Sequence, residues 1–166
     1  ATTETYTLSR HDALPISTNP GSIESGTSKA HPALNCVLLA DRHQGLTEAV
    51  RGLLETTFDA TVMVADETSL FETAKRLEPT LAVVDLSLAR TDSLEWVQRL
   101  RSSCPNLKLI LLSVYDEPSV RRAALDAGAD GFVLKRHIAT ELLPAVDAVL
   151  AGKNFAPPGP SKPSNR

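Results

Sequence analysis

LAVVDLSLARTDSLEW, residues 81–96, is the stretch on which the fold turns. Leu81 to Val84 form an unbroken apolar run, the mark of a strand buried on both faces. The run ends at once in a carboxylate, Asp85. A charge beside a core run is costly to bury unless it is paired, or solvated at an edge. Asp85 therefore belongs either at the exposed carboxyl end of a strand or somewhere expensive. Leu94, Val97 and Leu100 then stripe a helix, and Pro105 follows it.

Outward from this unit the same alternation repeats. LNCVLLA (34–40) reads as a first strand ending at Asp41. Leu46, Ala49, Val50, Leu53 and Leu54 follow at i, i+3, i+4, i+7 and i+8, the spacing of an amphipathic helix. ATVMVA (60–65) is a second strand, and Leu70, Ala74 and Leu77 mark a helix closed by Pro79. LKLILLSV (107–114) is a fourth strand. Asp116 is suited to cap the next helix, with Pro118 in its first turn, Val120, Ala123, Ala124 and Ala127 on its buried face, and Gly128 ending it. GFVL (131–134) is a fifth strand. A fifth helix reaches about Leu150, and Pro144 predicts a late start or a bend near its first turn.

Five nearly all-apolar strands alternating with five helices predict an α/β protein, a doubly wound parallel sheet covered on both faces. Such sheets gather polar chemistry outside the carboxyl ends of their strands. Asp41, Asp85, Ser113 and Lys135 all fall at those ends. Two neighbouring carboxylates repel unless a cation lies between them, and a hydroxyl and an ammonium are donors for anionic oxygens. Together the four residues suit a phosphoryl group held on one carboxylate.

The bulk properties fit one domain with tails. The chain has 166 residues, 42% hydrophobic and 22% charged, with a net charge of -3. Nothing there favours nucleic acid or a membrane surface, no apolar run is long enough to cross a bilayer, and no signal-peptide core is present. Cys36 and Cys104 read as reduced thiols rather than a disulfide framework. Residues 1–33 have the composition of a disordered segment. Within them TLSRHDALPIS (7–17) resembles the translation of a sequencing-library adaptor, so residues 1–17 carry no structural or functional expectation. The expected domain spans 34–152, and NFAPPGPSKPSNR (154–166) reads as a Pro-rich tail or truncated linker from residue 153 on.

VLLAD (37–41), LAVVDLSL (81–88), LILLS (109–113) and GADGFVLK (128–135) together resemble the receiver domain of two-component response regulators, of the type that precedes LuxR-type helix-turn-helix output domains. The resemblance implies a flavodoxin-like sheet of order 2-1-3-4-5. It implies Asp85 as the acceptor of a phosphoryl group from a sensor histidine kinase, in a phosphorelay switch rather than a classical enzyme. Asp41, Asp85 and the backbone carbonyl of Ser87 would hold Mg²⁺. Ser113 and Lys135 would bond phosphoryl oxygens, and Phe132 would be the switch aromatic coupled to Ser113. A cytoplasmic protein, a kinase partner and a homodimer fit this picture. DNA contact would come only through an output domain that does not follow before Arg166, so the chain reads as a truncated regulator or a stand-alone receiver.

Two positions depart from the family pattern. Where a second acid normally follows Asp41 the chain has Arg42, which would either swing into solvent and leave a weaker Mg²⁺ site, or pair with Asp85 and partly imitate the cation. Ala89 stands for the usual Pro, followed by Arg90, Thr91 and Asp92. Arg42 favours an alternative reading, a phosphorylation-independent interaction module on the same fold. A dehalogenase-like phosphatase would want an Asp where Ser87 stands. His43 reads as an inert loop residue, Trp96 as boundary packing beside the third helix's stripe, Arg121-Arg122 as a solvated face, and Tyr115 as a partner contact or cover for the site.

Overall fold

The computed structural model describes residues 35–158. The strands among them are β1 (Cys36–Ala40), β2 (Ala60–Val64), β3 (Leu81–Asp85), β4 (Lys108–Ser113) and β5 (Gly131–Leu134). They pair in parallel in the order β2-β1-β3-β4-β5. The helices are α1 (Gln44–Leu54), α2 (Glu67–Leu77), α3 (Glu95–Ser103), α4 (Pro118–Asp126) and α5 (Ile138–Leu150), and short 3₁₀ turns follow β3 (Leu86–Leu88) and β5 (Lys135–His137). This is the doubly wound parallel sheet that the alternation predicts, in the flavodoxin-like order that the family resemblance implies.

Side-chain alternation along the strands divides the interior into two cores. Leu38, Ala82, Val84, Leu109, Leu111 and Phe132 face the side covered by α2, α3 and α4. Val37, Leu39, Val83, Ile110, Leu112 and Val133 face the side covered by α1 and α5. Because both faces are sealed, the central strands are apolar almost throughout until the chain emerges at its carboxyl end; the polar exceptions are Thr61 on the half-buried edge strand β2 and Lys108 at the start of β4. That is why the polar residues accumulate there.

Two glycines explain the run GADGFVLK. Gly128 ends α4 at φ +115°, a conformation that disfavours side chains, and a Cβ there would stand 2.9 Å from Arg101 Cγ. At Gly131 a Cβ would meet Ile110 at 3.0 Å and Val149 at 3.2 Å, so α5 packs directly over the backbone. Between them Asp130 accepts from the Leu109 amide at 2.8 Å and pairs with Arg101 at 3.3 Å, fixing the approach to β5.

The structure corrects several expectations. Asp85 is the last residue of β3, at the strand's carboxyl end as expected, but it is buried there. Leu94 is the N-cap of α3, so the buried stripe is Trp96, Val97 and Leu100, and Trp96 is core rather than boundary. On α4, Ala123 is exposed and Arg121 takes the buried place beside Ala124. The N-cap there is Glu117, without a side-chain cap bond; Asp116 instead accepts from Arg121 at 3.1 Å and from Arg136. Helix α5 neither waits for Pro144 nor starts there. It begins at Ile138 and carries Pro144 on its exposed face, where the ring does not disturb the buried side of the helix.

The expected linker also begins as folded chain. The Phe155 amide donates to the Asp130 carbonyl at 3.0 Å, and its own carbonyl accepts from Phe132 at 2.9 Å, a parallel bridge onto Gly131. Phe155 packs on the α1/α5 core and Pro157 is buried. Ordered structure thus runs beyond residue 152, the boundary expected from composition. The expectations for residues 1–34 and 159–166 lie outside the described residues.

Candidate functional site

Parallel pairing sets the site. Ala40 pairs with Val84, Asp85 with Leu112, and Ser113 with Leu134, so the next residue of each strand reaches the same edge. Asp41 still belongs to the sheet through its amide, which donates to Val64 at 3.1 Å. Lys135 is the first residue after β5.

Asp85 is only 2% exposed, and its carboxylate is fully engaged. Oδ1 accepts from the Ser87 amide at 3.0 Å; Oδ2 accepts from the Ser87 hydroxyl at 2.7 Å and from the Lys135 ammonium. Burial opposes its ionisation, yet the Lys135 ammonium and both Ser87 hydrogen bonds outweigh burial and hold the carboxyl below its ordinary range. Asp85 is thus neither unpaired in the core nor freely solvated: an incoming group reaches it only as Lys135 or Ser87 gives way.

Asp41 is the opposite case. Its side chain is 1% exposed; Oδ1 accepts from the His43 amide at 2.8 Å, while Oδ2 is buried with no hydrogen-bond partner and lies 3.9 Å from Lys135 Nζ. Burial raises its carboxyl above the ordinary range, with Asp85 adding to the rise and the His43 amide and Lys135 opposing it. One ammonium therefore serves two carboxylates. An orphaned oxygen beside a second acid is a fitting place for a cation.

No second ligand for His43 is expected from spacing along the chain, but the structure brings two carboxylates within reach of its imidazole. Its Nδ1 lies 3.6 Å from Asp41 Oδ1 and 3.7 Å from Asp85 Oδ2, and one ligand atom from each of the three residues falls within 4.8 Å of the others. The missed signal is the Asp-x-His spacing. A carboxylate that accepts from the amide two residues on folds the loop back and carries the imidazole over the pocket.

Arg42 does neither thing expected of it. Its Nη2 donates to the Leu88 carbonyl at 3.0 Å, so the guanidinium is neither loose in solvent nor paired with Asp85. It ties the loop after β1 to the turn after β3. Ser113 stands at the site edge, but its hydroxyl serves its own loop: it accepts from the Tyr115 amide at 2.9 Å and donates to the Tyr115 carbonyl at 3.3 Å. Tyr115 itself is 60% exposed and Phe132 fully buried. Of the four strand-end residues, side-chain contacts thus join Asp41, Asp85 and Lys135, and Ser113 is a neighbour held back.

Comparison with known proteins identifies the family and the fold that carry these residues. The profile of the response regulator receiver domain matches residues 37–147. A transcriptional regulator of Pseudomonas aeruginosa is 35% identical over 131 residues, covering 78% of this chain and 63% of its own length. The transcription regulator BvgA of Bordetella pertussis is 32% identical, over 74% of this chain and 59% of its own. Among solved structures, the isolated receiver domain of RcsB from Salmonella enterica, determined with the phosphomimetic BeF₃⁻, superposes with a TM-score of 0.67 at 26% identity, over 76% of this chain and 95% of that one. The signal receiver domain of NarL from Mycobacterium tuberculosis gives a TM-score of 0.64 at 27% identity, over 74% and 100%. The chain spans 63% of the P. aeruginosa regulator and 50% of MprA from Mycobacterium leprae. Among the described residues no helix is long and apolar enough to cross a membrane.

Proposed function

This chain belongs to the response regulator receiver domain family of two-component signalling, and from that premise we propose that Asp85 accepts a phosphoryl group from the phosphohistidine of a sensor histidine kinase. A carboxylate oxygen of Asp85 attacks phosphorus, the P–N bond breaks, and the imidazole leaves with its electron pair. Phosphoryl transfer of this kind depends on positioning and charge neutralisation. The observation that carries the reading is the Asp85–Lys135 ion pair beside the orphaned Asp41 oxygen.

Each residue then has a task. Lys135 passes from the free carboxylate to a phosphoryl oxygen, and Ser113 leaves the Tyr115 backbone to bond another. The buried Phe132 side chain is the packing element that senses that movement. Asp41 and Asp85, with the Ser87 carbonyl, would hold Mg²⁺, which neutralises phosphoryl charge when bound. The output is a changed surface on α4, β5 and α5. A kinase, a second copy of the chain, and DNA through a separate output domain are the partners this role implies, in the cytoplasm.

One observation favours a second reading, an interaction module that is never phosphorylated: Arg42 replaces an acid and Asp85 is already saturated by Lys135 and Ser87. Incubation with acetyl phosphate and a divalent cation, followed by intact-mass measurement, separates the two. A phosphoryl adduct that Asp85→Ala abolishes supports the receiver switch. No adduct across a wide range of cation concentrations supports the module.

A further inference from the structure

Ser113 and Lys135, the two donors assigned to phosphoryl oxygens, lie on segments that are tied to each other. Ser113 ends β4, and its hydroxyl is held by the backbone two residues on: it accepts from the Tyr115 amide at 2.9 Å and donates to the Tyr115 carbonyl at 3.3 Å. Lys135 follows β5, and its ammonium rests on Asp85. Asp116 comes directly after Tyr115, and Arg136 directly after Lys135. These two side chains, 20 residues apart, form an ion pair between the two segments.

An isolated pair this exposed would count for little. This one is anchored from a second side. The other oxygen of the Asp116 carboxylate accepts from Arg121 at 3.1 Å. The Arg121 side chain is 10% exposed and shares the buried face of α4 with Ala124, so it does not drift into solvent. Both oxygens of one carboxylate are thus engaged, one by α4 and one by the turn after β5.

The loop that carries Tyr115 also carries Asp116. The arrangement in which the Ser113 hydroxyl is turned onto its own backbone is therefore the one in which Asp116 reaches Arg136. For Ser113 to serve a phosphoryl oxygen, the hydroxyl has to give up both Tyr115 contacts, and residues 114–116 have to yield.

We propose that Asp116 and Arg136 are positioning residues for phosphoryl acceptance: their ion pair fastens the loop after β4 in the arrangement that withholds Ser113, and its release lets Ser113 reach the pocket. Both act through Ser113 and not on the reacting atoms. The inference rests on the receiver reading and adds to it the residues that set its resting arrangement. A ligand that needs the released arrangement binds more weakly by the fraction of molecules in which the pair holds.

Arg136→Gln is the variant of choice. The Arg136 side chain is 54% exposed, and Asp116 keeps Arg121, which Asp116→Ala would strand. The first measurement needs no phosphodonor: hydrogen exchange at the Tyr115 amide should quicken about two- to fivefold, the size that a partly exposed ion pair supports. The Leu109 amide, bonded to Asp130 away from the loop, should be unchanged. The second measurement is affinity for BeF₃⁻ with Mg²⁺, which should rise by a similar factor. Loss of a positive charge near an anion site would by itself lower that affinity, so a rise reports the freed Ser113. Arg136→Lys should stay close to the parent chain, and Arg136→Gln in a Ser113→Ala background should bring no gain. Unchanged Tyr115 exchange, an unchanged or lowered affinity, or a gain that persists without Ser113 would each overturn the positioning role alone. A parent chain that binds no BeF₃⁻ and takes no phosphoryl group would instead sink the receiver reading, and this proposal with it.

Discussion

Arg42 and Leu88, 46 residues apart, are joined by a hydrogen bond of 3.0 Å from the guanidinium to the backbone carbonyl. The bond lies outside the carboxylate cluster and clamps the turn that carries Ser87. The basic residue after Asp41 is therefore a structural tie, and the pocket keeps its negative character.

Breaking that tie should loosen the turn without emptying the pocket. Arg42→Ala is expected to cost about 1 kcal/mol and to speed amide exchange at Ser87 and Leu88. Arg42→Asp should in addition raise Mg²⁺ affinity, by restoring an oxygen donor beside Asp41. Isothermal titration with Mg²⁺ checks this; an unchanged affinity would show that a carboxylate at position 42 cannot reach the pocket.

The two acids predict opposite pH dependences. Asp85 is held below its ordinary range, so its contribution is present above the unfolded value, about 3.9, and is lost as pH falls through the lower folded value. Asp41 is raised, so it favours the fold below that unfolded value and loses this contribution as pH rises through its folded one. Asp41→Asn should therefore stabilise the metal-free protein at neutral pH by about 1 kcal/mol and lose that advantage in acid. Urea unfolding in chelator at several pH values measures it. A destabilisation that is the same at every pH would contradict the assignment.

Asp116 holds two arginines, Arg121 and Arg136, and so links the start of α4 to the turn before α5. The Arg121 side chain is 10% exposed, and its Nε is buried without a partner. Asp116→Ala strands that charge and should cost about 1–2 kcal/mol, the carboxylate being partly solvated. Arg121→Met in the Asp116→Ala background should recover most of the loss. If the second change adds a further loss instead, the arginine is held by packing and not by the acid.

Phe155 closes β5 from the side that composition assigned to a linker. Phe155→Ala should cost about 1–2 kcal/mol, less than a fully buried Phe because the ring is half-buried. It should also expose the Phe132 amide to exchange, since that amide donates to the Phe155 carbonyl. Hydrogen exchange read at Phe132 tests both statements together.

Most of the architecture is legible in the chain itself. All five strands lie where apolar runs place them, within about two residues at each end. Apolar runs are legible because burial on both faces is a local demand on every residue of a strand. The errors have a common form. Trp96 and Ala123 depart from the spacing because a helix's buried face depends on where the neighbouring layer sits, not on its own periodicity alone. Asp116 looked like a cap because its partners, Arg121 and Arg136, are supplied by other parts of the fold.

The amino-acid order alone determined the sheet, its layers and the edge where Asp41, Asp85, Ser113 and Lys135 emerge. Only the tertiary structure decided what those groups touch: Lys135 on Asp85, Arg42 on Leu88, Ser113 on the Tyr115 backbone, His43 over the two acids. The reason is physical. Burial of apolar surface accumulates residue by residue along the chain, whereas a charged side chain chooses among partners that other segments deliver within a few ångströms of it.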